Sequence, residues 1–415
     1  MKQVYVIGGG AAGLMAAYAA AKNGHSVVLI EKNEKLGKKI YITGKGRCNF
    51  TNDVPVDEFL PNVVRGGKFL TGALYSFPPQ KTIDFFETHG LSVKVERGNR
   101  AFPSSDHASD ITKTLEKACR SVGVEICLNE TAVSIMPDIS VMSDVTELLY
   151  RWKIKTDTGE YTCDRVIVAT GGISYPSTGS TGDGYRFAKE NGLGVTDLKS
   201  ALCGLNLDGD SFKNVQGLTL KNVELTIKNG SKTLYRDFGE LLFTHFGISG
   251  PIVLSASSVI NRQPLQSLSL TLDLKPALDE SALDKRLLRD FDKYKNKQIG
   301  NALIELLPQK LIAVVLKASG VDPTKNVNVL TKEERQRLVK TLKALPFKIK
   351  SLRSIEESIV TSGGVSLSEI DPKTMESKKC KGLYFCGEVL DVDAFTGGFN
   401  LQIAFATGYA AGKNI

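Results

Sequence analysis

Apolar residues near the start of the chain form two short unbroken runs, at residues 4–7 and 26–30, with an alanine-rich stretch between them at 14–23. The two runs predict short strands, and the stretch between them predicts a helix that Gly24 ends. Small residues fill the turn before this helix, and an acidic residue follows the second run. The pattern therefore predicts a strand, a glycine turn, a helix and a second strand that ends in a carboxylate.

Each part of this unit has a chemical role when a dinucleotide is the ligand. The turn consists of six small residues, Gly8, Gly9, Gly10, Ala11, Ala12 and Gly13. Gly8 permits the tight turn, Gly10 lets a pyrophosphate approach the backbone, and Gly13 lets the helix lie close to the strand. The free N–H groups at the helix start attract phosphate, and Glu31 can accept hydrogen bonds from ribose hydroxyls. A glycine-rich turn with a solvated acid is the alternative interpretation.

A basic, glycine-rich stretch follows at residues 32–52. Small residues with cations between them suit a loop that lies along phosphates and a ring system. The candidates for cofactor contact are Lys32, Gly37, Lys38, Gly44, Gly46, Arg47, Cys48 and Asn49. We expect Arg47, Cys48 and Asn49 to reach a flat heterocycle with hydrogen-bond donors. A flexible basic loop is the alternative.

Two further stretches carry candidate ligand contacts. A buried strand at 165–168 leads into four small residues, Ala169, Thr170, Gly171 and Gly172. Small residues at a strand end suit a backbone that passes closely over a ligand. A strand at 130–135 places Val133 where a parallel strand would pass near an adenine.

The end of the chain returns to the opening pattern. The run at 382–388 predicts a strand that ends in an acid, and residues 399–412 predict a small-residue helix. These elements are typical of an α/β domain. We therefore expect one nucleotide-binding domain made from both chain ends, residues 1–197 and 354–415.

The middle of the chain has a different pattern. Short alternating runs at 198–276 and 346–353 predict an antiparallel β unit. Residues 277–345 between them are helical and charged, with proline breaks. His245 lies in a loop before a predicted helix start and is the best candidate for an acid or base, because histidine titrates near neutral pH. A structural histidine is the alternative.

Composition sets limits on the class of protein. With 415 residues, 42% hydrophobic and 24% charged, the chain is typical of a globular protein with two or three domains. Seven cysteines at irregular spacing indicate neither a metal site nor a disulfide framework, which favours a reducing cytoplasm. We expect no membrane span. The net charge of +8 is mild and spread along the chain, so it permits a nucleic-acid partner without supporting one.

Six sequence motifs occur together in this order: V-I-G-G-G-A-A-G, G-K-G-R-C-N-F-T-N, A-T-G-G, F-T-H-F-G-I-S-G-P, C-G-E-V-L-D and T-G-G-F-N-L-Q. With them, the chain resembles the bacterial NAD(P)/FAD-dependent oxidoreductases of the aminoacetone oxidase and dehydro-bile-acid reductase (BaiN-like) family over essentially its whole length. The resemblance implies a glutathione-reductase-like Rossmann FAD domain, with an inserted β-barrel that a small helical insert interrupts.

The resemblance also implies roles for single residues. The ADP half of FAD would lie against Gly8, Gly10, Gly13 and Glu31, with Val133 at the adenine. The ribitol chain would meet Gly387 and Glu388. The flavin ring would meet Gly398, Asn400, Leu401 and Gln402. The C-x-x-x-x-C pair of the disulfide reductases is missing, because Cys48 has no cysteine close to it in sequence.

These observations predict an FAD enzyme that moves a hydride between a small organic substrate and the flavin. No second dinucleotide fingerprint is present, so NAD(P)H is expected only as a transient electron donor. One alternative is an NAD(P)H-driven reductase of a C=C bond in an enone or steroid-like substrate. Another is a flavin-dependent protein that modifies or binds nucleic acid. The sequence leaves the substrate and the oligomeric state open.

Overall fold

The computed structural model describes residues 1–138, 151–210 and 212–415. The chain forms two compact units. Both chain ends, Met1–Ser200 and Ile355–Ile415, form the first unit, and Ala201–Ser354 form the second.

The strands of the described residues are, in chain order, β1 (Gln3–Ile7), β2 (Ser26–Glu31), β3 (Thr51–Asn52), β4 (Val63–Arg65), β5 (Val93–Glu96), β6 (Arg100–Pro103), β7 (Glu125–Leu128), β8 (Ala132–Pro137), β9 (Trp152–Thr156), β10 (Glu160–Cys163), β11 (Arg165–Val168), β12 (Lys199–Ala201), β13 (Leu205–Leu207), β14 (Thr219–Asn229), β15 (Lys232–Phe243), β16 (Gly247–Ser249), β17 (Leu268–Asp273), β18 (Leu345–Phe347), β19 (Ile349–Leu352), β20 (Val360–Ser362), β21 (Leu383–Phe385) and β22 (Asp393–Ala394).

The α-helices of the described residues are α1 (Ala11–Lys22), α2 (Lys38–Ile42), α3 (Val56–Phe59), α4 (Gly67–Ser76), α5 (Pro79–Thr88), α6 (Ala108–Ser121), α7 (Asp183–Glu190), α8 (Pro251–Ile260), α9 (Glu280–Lys293), α10 (Ile299–Ala302), α11 (Gln309–Ser319), α12 (Lys332–Lys343) and α13 (Phe399–Lys413). None of them is long and apolar enough to cross a membrane.

A five-stranded parallel sheet forms the centre of the first unit, in the order β21-β11-β1-β2-β7. Val6 lies between Leu29 and Ile167 in this sheet, and all three side chains are fully buried. Unbroken apolar runs are expected in such strands, because elements of the chain cover both faces of a parallel sheet. The α/β nucleotide fold built from both chain ends is therefore confirmed.

Helices α1 and α13 pack with their backbones in contact. A Cβ atom added to Gly408 would overlap the carbonyl oxygen of Ala12, and one added to Gly412 would overlap that of Ala16. Only glycine permits this approach. The last helix therefore lies directly on the helix that follows the glycine turn.

Smaller sheets surround the parallel sheet in the first unit, and one of them corrects the sequence analysis. Strand β8 pairs antiparallel with β9 and has an irregularity between Ala132 and Ser134. Val133 therefore does not lie on a parallel strand, and its side chain is 41% exposed. The sequence of β8 does not reveal whether the strand is parallel or antiparallel, because its partner strand lies beyond residue 150. Strand β8 belongs to the sheet β10-β9-β8, and the other small sheets have the orders β3-β6-β5, β22-β4 and β12-β20.

The second unit contains a seven-stranded sheet in the order β18-β17-β14-β15-β16-β13-β19, with antiparallel pairs throughout. Helices α9 to α12 lie between β17 and β18 in the chain. The two end strands, β18 and β19, are separated in the chain only by Lys348. An antiparallel insert is thus confirmed, and its closure into a barrel is not shown.

Candidate active site

The glycine turn after β1 is built by close backbone contacts. Gly8 has a left-handed φ of 108°, and a Cβ atom on it would come within 2.6 Å of the Ala169 carbonyl oxygen. A Cβ atom on Gly13 would overlap the carbonyl oxygen of Gly8. Gly10 differs, because a Cβ atom on it would meet no protein atom within 4 Å. Gly8 and Gly13 are thus required by the fold, whereas Gly10 leaves open space beside the turn.

This open space lies at the start of α1. Gly10 is the N-cap residue of that helix, and among the described residues no side chain caps the helix. Its first turn contains no acidic residue. Such a helix start presents free N–H groups and the positive end of the helix dipole to an anion. The arrangement fits a diphosphate, whose negative oxygens would lie where Gly10 has no side chain.

Glu31 lies at the same turn and is only 8% exposed. Its Oε2 accepts a hydrogen bond from the backbone N–H of Gly9 at 2.7 Å. Its Oε1 accepts from the backbone N–H and the side-chain amide of Asn33, at 2.9 and 2.6 Å. The carboxylate is thus fixed rather than solvated, and its remaining lone pairs can accept ribose hydroxyls.

Two of the predicted lysines after Glu31 form ion pairs. Lys32 pairs with Asp183 at 2.7 Å, and Lys38 pairs with Glu34 at 2.8 Å. Gly37 has a left-handed φ of 64°, and its N–H donates to the Gly9 carbonyl at 2.9 Å. This loop is therefore tied to the glycine turn by backbone, while Lys32 and Lys38 have protein partners.

The next loop contains four residues with left-handed φ, Gly44, Lys45, Gly46 and Cys48. The side chain of Arg47 pairs with Glu96 and Asp106 and lies over the ring of Phe102. These two carboxylates raise the pKa of Arg47 above its usual value. The guanidinium group of Arg47 thus has two carboxylates and a protein ring as partners, and its contact with a flat heterocycle stays a prediction.

Cys48 is fully buried, and burial raises the pKa of its thiol to about 12. The thiol is therefore protonated at neutral pH, and its side chain faces protein. Asn49 differs, because its Oδ1 atom is buried and has no hydrogen-bond partner among the described residues. A Cβ atom on Gly398 would come within 2.9 Å of this oxygen. Asn49 thus offers an acceptor beside Gly398.

Gly398 is the N-cap residue of α13, and among the described residues no side chain caps this helix. The side chain of Asn400 bonds back to Ala394, and Leu401 is half-buried. The open N–H groups of α13 and the free oxygen of Asn49 form a mixed set of donors and an acceptor. Such a set fits the imide edge of a flavin, which has an N–H group between two carbonyl oxygens.

Gln402 is used by the protein core rather than by a ligand. Its side chain is fully buried. Its Oε1 accepts hydrogen bonds from the hydroxyl groups of Thr51 and Thr82, both at 2.7 Å, and its Nε2 donates to the Phe77 carbonyl at 2.8 Å. The side chain is therefore not available to a flavin ring, a point that sequence could not reveal because the partners lie more than 300 residues away.

The remaining predicted residues gather around the same turn. A Cβ atom on Gly387 would come within 2.6 Å of the Ala12 side chain, and one on Gly172 would overlap the hydroxyl oxygen of Thr361. Glu388 bonds to three residues that the sequence analysis had not chosen, Lys39, Ser174 and Thr361. The position of Lys39 in the basic stretch at 32–52 could have marked it as a site residue, whereas no sequence pattern marks Ser174 or Thr361. Ala169, Thr170 and Gly171 continue β11 into this region, and the Thr170 hydroxyl is buried without a partner among the described residues.

His245 belongs to the second unit, whereas the predicted cofactor residues belong to the first. It is exposed in the turn between β15 and β16, with its ring edge-on to Phe246 at 5.1 Å. The guanidinium carbon of Arg353 lies over the Phe246 ring, 4.5 Å from the ring centre. The catalytic role of His245 stays a prediction.

Residues 2–414 match the family model described as the HI0933-like protein Rossmann domain. The chain belongs to this family. It is a family of FAD-dependent oxidoreductases, so the protein is a flavin enzyme with a Rossmann fold. The family identification agrees with the resemblance inferred from the motifs.

Two relatives align over nearly their whole lengths. The 3-dehydro-bile acid Δ(4,6)-reductase of Clostridium scindens is 31% identical, over 100% of this chain and 98% of its own. The ribosomal RNA dihydrouridine synthase of Escherichia coli is 30% identical, over 99% of this chain and 97% of its own. This chain is thus similar to two enzymes with different substrates.

Solved structures extend the likeness in fold. A 3-ketosteroid Δ1-dehydrogenase from Sterolibacterium denitrificans has a TM-score of 0.53 and 14% identity, over 99% of this chain and 98% of its own. The open form of a flavocytochrome c3 fumarate reductase has a TM-score of 0.51 and 19% identity, over 100% of this chain and 78% of its own. At these identities the likeness concerns the fold alone.

Proposed function

We propose that this protein reduces a carbon–carbon double bond that is conjugated to a carbonyl group. The observation that carries the proposal is the chemistry common to the two full-length relatives. A 3-dehydro bile acid with a double bond at position 4 is an enone, and the double bond of uridine that is saturated in dihydrouridine is also conjugated to a carbonyl. Bound FAD, once reduced, supplies a hydride for such a bond.

The chain's own residues would bind and orient the cofactor. The start of α1 would hold the diphosphate, and Glu31 would accept the ribose hydroxyls. The N–H groups at the start of α13 would face the imide edge of the ring. A helix N-terminus there stabilises negative charge by about 0.3–2 kcal/mol, which favours a ring that has gained electrons.

Two further parts of the reaction belong to the same proposal. NAD(P)H would deliver electrons as a transient donor, since the sequence has one dinucleotide fingerprint. His245 is our candidate for the proton that the substrate needs after hydride addition, because histidine is the side chain that most often acts as a general acid or base. Replacement of His245 by glutamine should then slow substrate reduction and leave reduction of the flavin by NAD(P)H unchanged.

The test is anaerobic reoxidation of the reduced, FAD-loaded protein. A 3-oxo-4-ene steroid, a simple enone, a uridine-containing RNA and an unconjugated alkene would be mixed with it separately. Return of the yellow flavin absorbance with a conjugated acceptor, together with a product that has gained two hydrogens, supports the proposal. Reoxidation by none of the conjugated acceptors, together with flavin reduction by an amine, would mean that the enzyme oxidises its substrate instead.

A second candidate takes RNA as the molecule that carries the double bond. The second unit contains 24 Lys and Arg against 15 Asp and Glu, a net charge of +9, whereas the first unit contains 29 against 30, a net charge of −1. The expectation of evenly spread charge is therefore wrong, because it averaged over two different units. A net positive charge on one unit favours association with the phosphate groups of RNA.

The small-molecule and RNA candidates differ in their dependence on salt. Affinity for RNA should fall steeply with salt concentration because bound phosphates release counterions, whereas affinity for a steroid enone should change little. Reoxidation of the reduced flavin in a mixture of RNA and steroid enone would show which of the two acceptors is reduced faster. RNA that lacks measurable affinity at low salt would contradict the RNA candidate and leave the enone reaction standing.

A further inference from the structure

Four segments of the first unit meet at the carboxylate of Glu388. Its Oε1 accepts hydrogen bonds from the backbone N–H of Thr361 at 2.8 Å, from the Ser174 hydroxyl at 3.1 Å and from Lys39 Nζ at 3.1 Å. Its Oε2 accepts from Lys39 Nζ at 2.9 Å. Lys39 Nζ also donates to the Ser174 hydroxyl at 2.6 Å. This is a fixed network rather than an isolated surface pair, because Ser174 and Thr361 have no exposed surface.

The network lies beside the dinucleotide turn. Gly387, the residue before Glu388, packs against Ala12 in the first turn of α1. Gly37, two residues before Lys39, donates its N–H to the carbonyl of Gly9. Lys39 and Glu388 are 349 residues apart in sequence, yet each is held within two residues of a glycine that contacts the turn. The pair therefore lies where an FAD molecule on the turn would extend.

The two oxygens of Glu388 are not equivalent. Oε1 has three donors, while Oε2 has Lys39 as its donor in the part of the chain that the structure describes. A carboxylate oxygen can accept two hydrogen bonds or more. Oε2 therefore keeps an acceptor position, and the Lys39 ammonium group fixes the direction in which that position faces.

We propose that Lys39 is a positioning residue for FAD. Its ammonium group holds the Glu388 carboxylate in one orientation, so that Oε2 accepts a hydroxyl group of the cofactor's polyol chain. Lys39 acts through Glu388 and does not contact FAD. The inference rests on the FAD chemistry of the family and is independent of which substrate the enzyme reduces.

A double-mutant cycle tests this inference on the full chain. Apoprotein would be titrated with FAD, and the dissociation constant would be measured from flavin fluorescence for wild type, Lys39→Met, Glu388→Gln and the double variant. Each single change should raise the dissociation constant for FAD by about tenfold or more. The double variant should have the same dissociation constant as the single variant that binds FAD less tightly. Multiplied effects in the double variant would overturn the inference, because Lys39 would then act on FAD by itself.

Two matched variants separate positioning from other effects. Lys39→Arg keeps the cation and should recover FAD binding to within a few-fold of wild type. Lys153→Met removes an exposed ion pair with Glu160 in the same unit and should leave the dissociation constant unchanged. Unchanged FAD binding in Lys39→Met would contradict the proposal, as would equal losses in Lys39→Met and Lys39→Arg.

Folding is monitored in parallel by circular dichroism and denaturant unfolding of each apoprotein. If Lys39→Met does not fold, the dissociation constant for FAD is measured for Ser174→Ala instead. This variant removes the hydroxyl group that bridges Lys39 and Glu388 and keeps the charges of both residues. This variant should weaken FAD binding by a few-fold at unchanged unfolding midpoint. Wild-type affinity in a folded Ser174→Ala protein would then overturn the proposal.

Discussion

The two units of this protein differ in net charge and in the kind of groups that each offers to a ligand. The first is almost neutral, and its candidate cofactor site is made largely of backbone: the glycine turn, the open start of α1 and the open start of α13. The second carries the whole net positive charge of the chain, and its basic side chains are spread over the sheet, the loops and helices α9, α11 and α12. We therefore expect cofactor binding to depend on a few close contacts, and RNA binding, in the RNA candidate, to depend on many charges of small individual effect.

The largest effect is expected from Gly13→Ala, which tests the backbone character of the first unit. The added Cβ would overlap the Gly8 carbonyl oxygen, and overpacking of this kind costs about 1–3 kcal/mol or more. The free energy of unfolding should fall, and FAD should be lost. Gly10→Ala is the control, because its Cβ enters open space and its φ of −84° suits alanine. It should unfold like wild type and still bind FAD more weakly; equal destabilisation of both variants would contradict the assignment of Gly10.

Glu31→Ala should have the next largest effect. It removes the acceptor for the Gly9 N–H and, by our proposal, for the ribose, and hydrogen bonds to a charged group contribute about 1.5–3 kcal/mol. FAD titration of the apoprotein measures the loss. Asn33→Ala is the matched variant, because it removes only the side-chain donor to Glu31 and should weaken FAD much less. If the two variants bind FAD equally, Glu31 does not contact the cofactor.

Reversal of charge in the second unit should have a moderate effect that is confined to RNA. Lys228 and Lys232 are exposed at the tip of the β14–β15 hairpin. Replacing both with glutamate should weaken RNA binding and lower the slope of log affinity against log salt by about 1 for each lysine that contacts a phosphate. Reduction of a steroid enone should be unchanged. Lys113→Glu reverses a charge on the exposed face of α6 in the first unit and should leave RNA binding unchanged. An equal loss of RNA affinity in this variant would contradict the assignment of RNA binding to the second unit.

The smallest effect on catalysis is expected at Cys48. Its buried thiol, with a pKa raised from 9.0 to about 12, binds its proton more tightly in the folded state than in the unfolded state. Its contribution to stability is therefore complete below pH 9 and is lost as the pH rises towards 12. Cys48→Ser should flatten part of that decline in a pH series of unfolding experiments, while flavin reduction stays within a few-fold of wild type. Loss of turnover with FAD still bound would give the thiol a redox role.

Much of the first unit could be predicted from sequence because its signals are short. The strands expected at 4–7 and 26–30 are β1 and β2, and the glycines at 8 and 13 lie where the turn requires them. What could not be predicted depends on partners that are distant in sequence. Arg47 is engaged by Glu96 and Asp106, and Gln402 is enclosed by threonines near the other end of the chain.

The second unit was less predictable for a related reason. Alternating runs indicated antiparallel strands, yet the order of those strands depends on pairing between residues as distant as Leu205 and Leu352. The uneven charge was hidden until the boundaries at residues 200 and 354 were known, because a total of +8 averages a neutral unit with a basic one. Local patterns therefore revealed the elements, and only the fold revealed their electrostatic grouping.

The backbone contact between α1 and α13 has a consequence for how this protein is made. The face of α1 that carries Ala12 and Ala16 is covered by Gly408 and Gly412, which belong to the last helix, α13. A ribosome completes the whole second unit before it delivers β21 and α13. At ordinary rates of translation the delay between residues 201 and 383 is about 10–40 s. During that interval the glycine turn has an incomplete sheet and an uncovered helix, so the candidate cofactor site is assembled only after the last helix has been made.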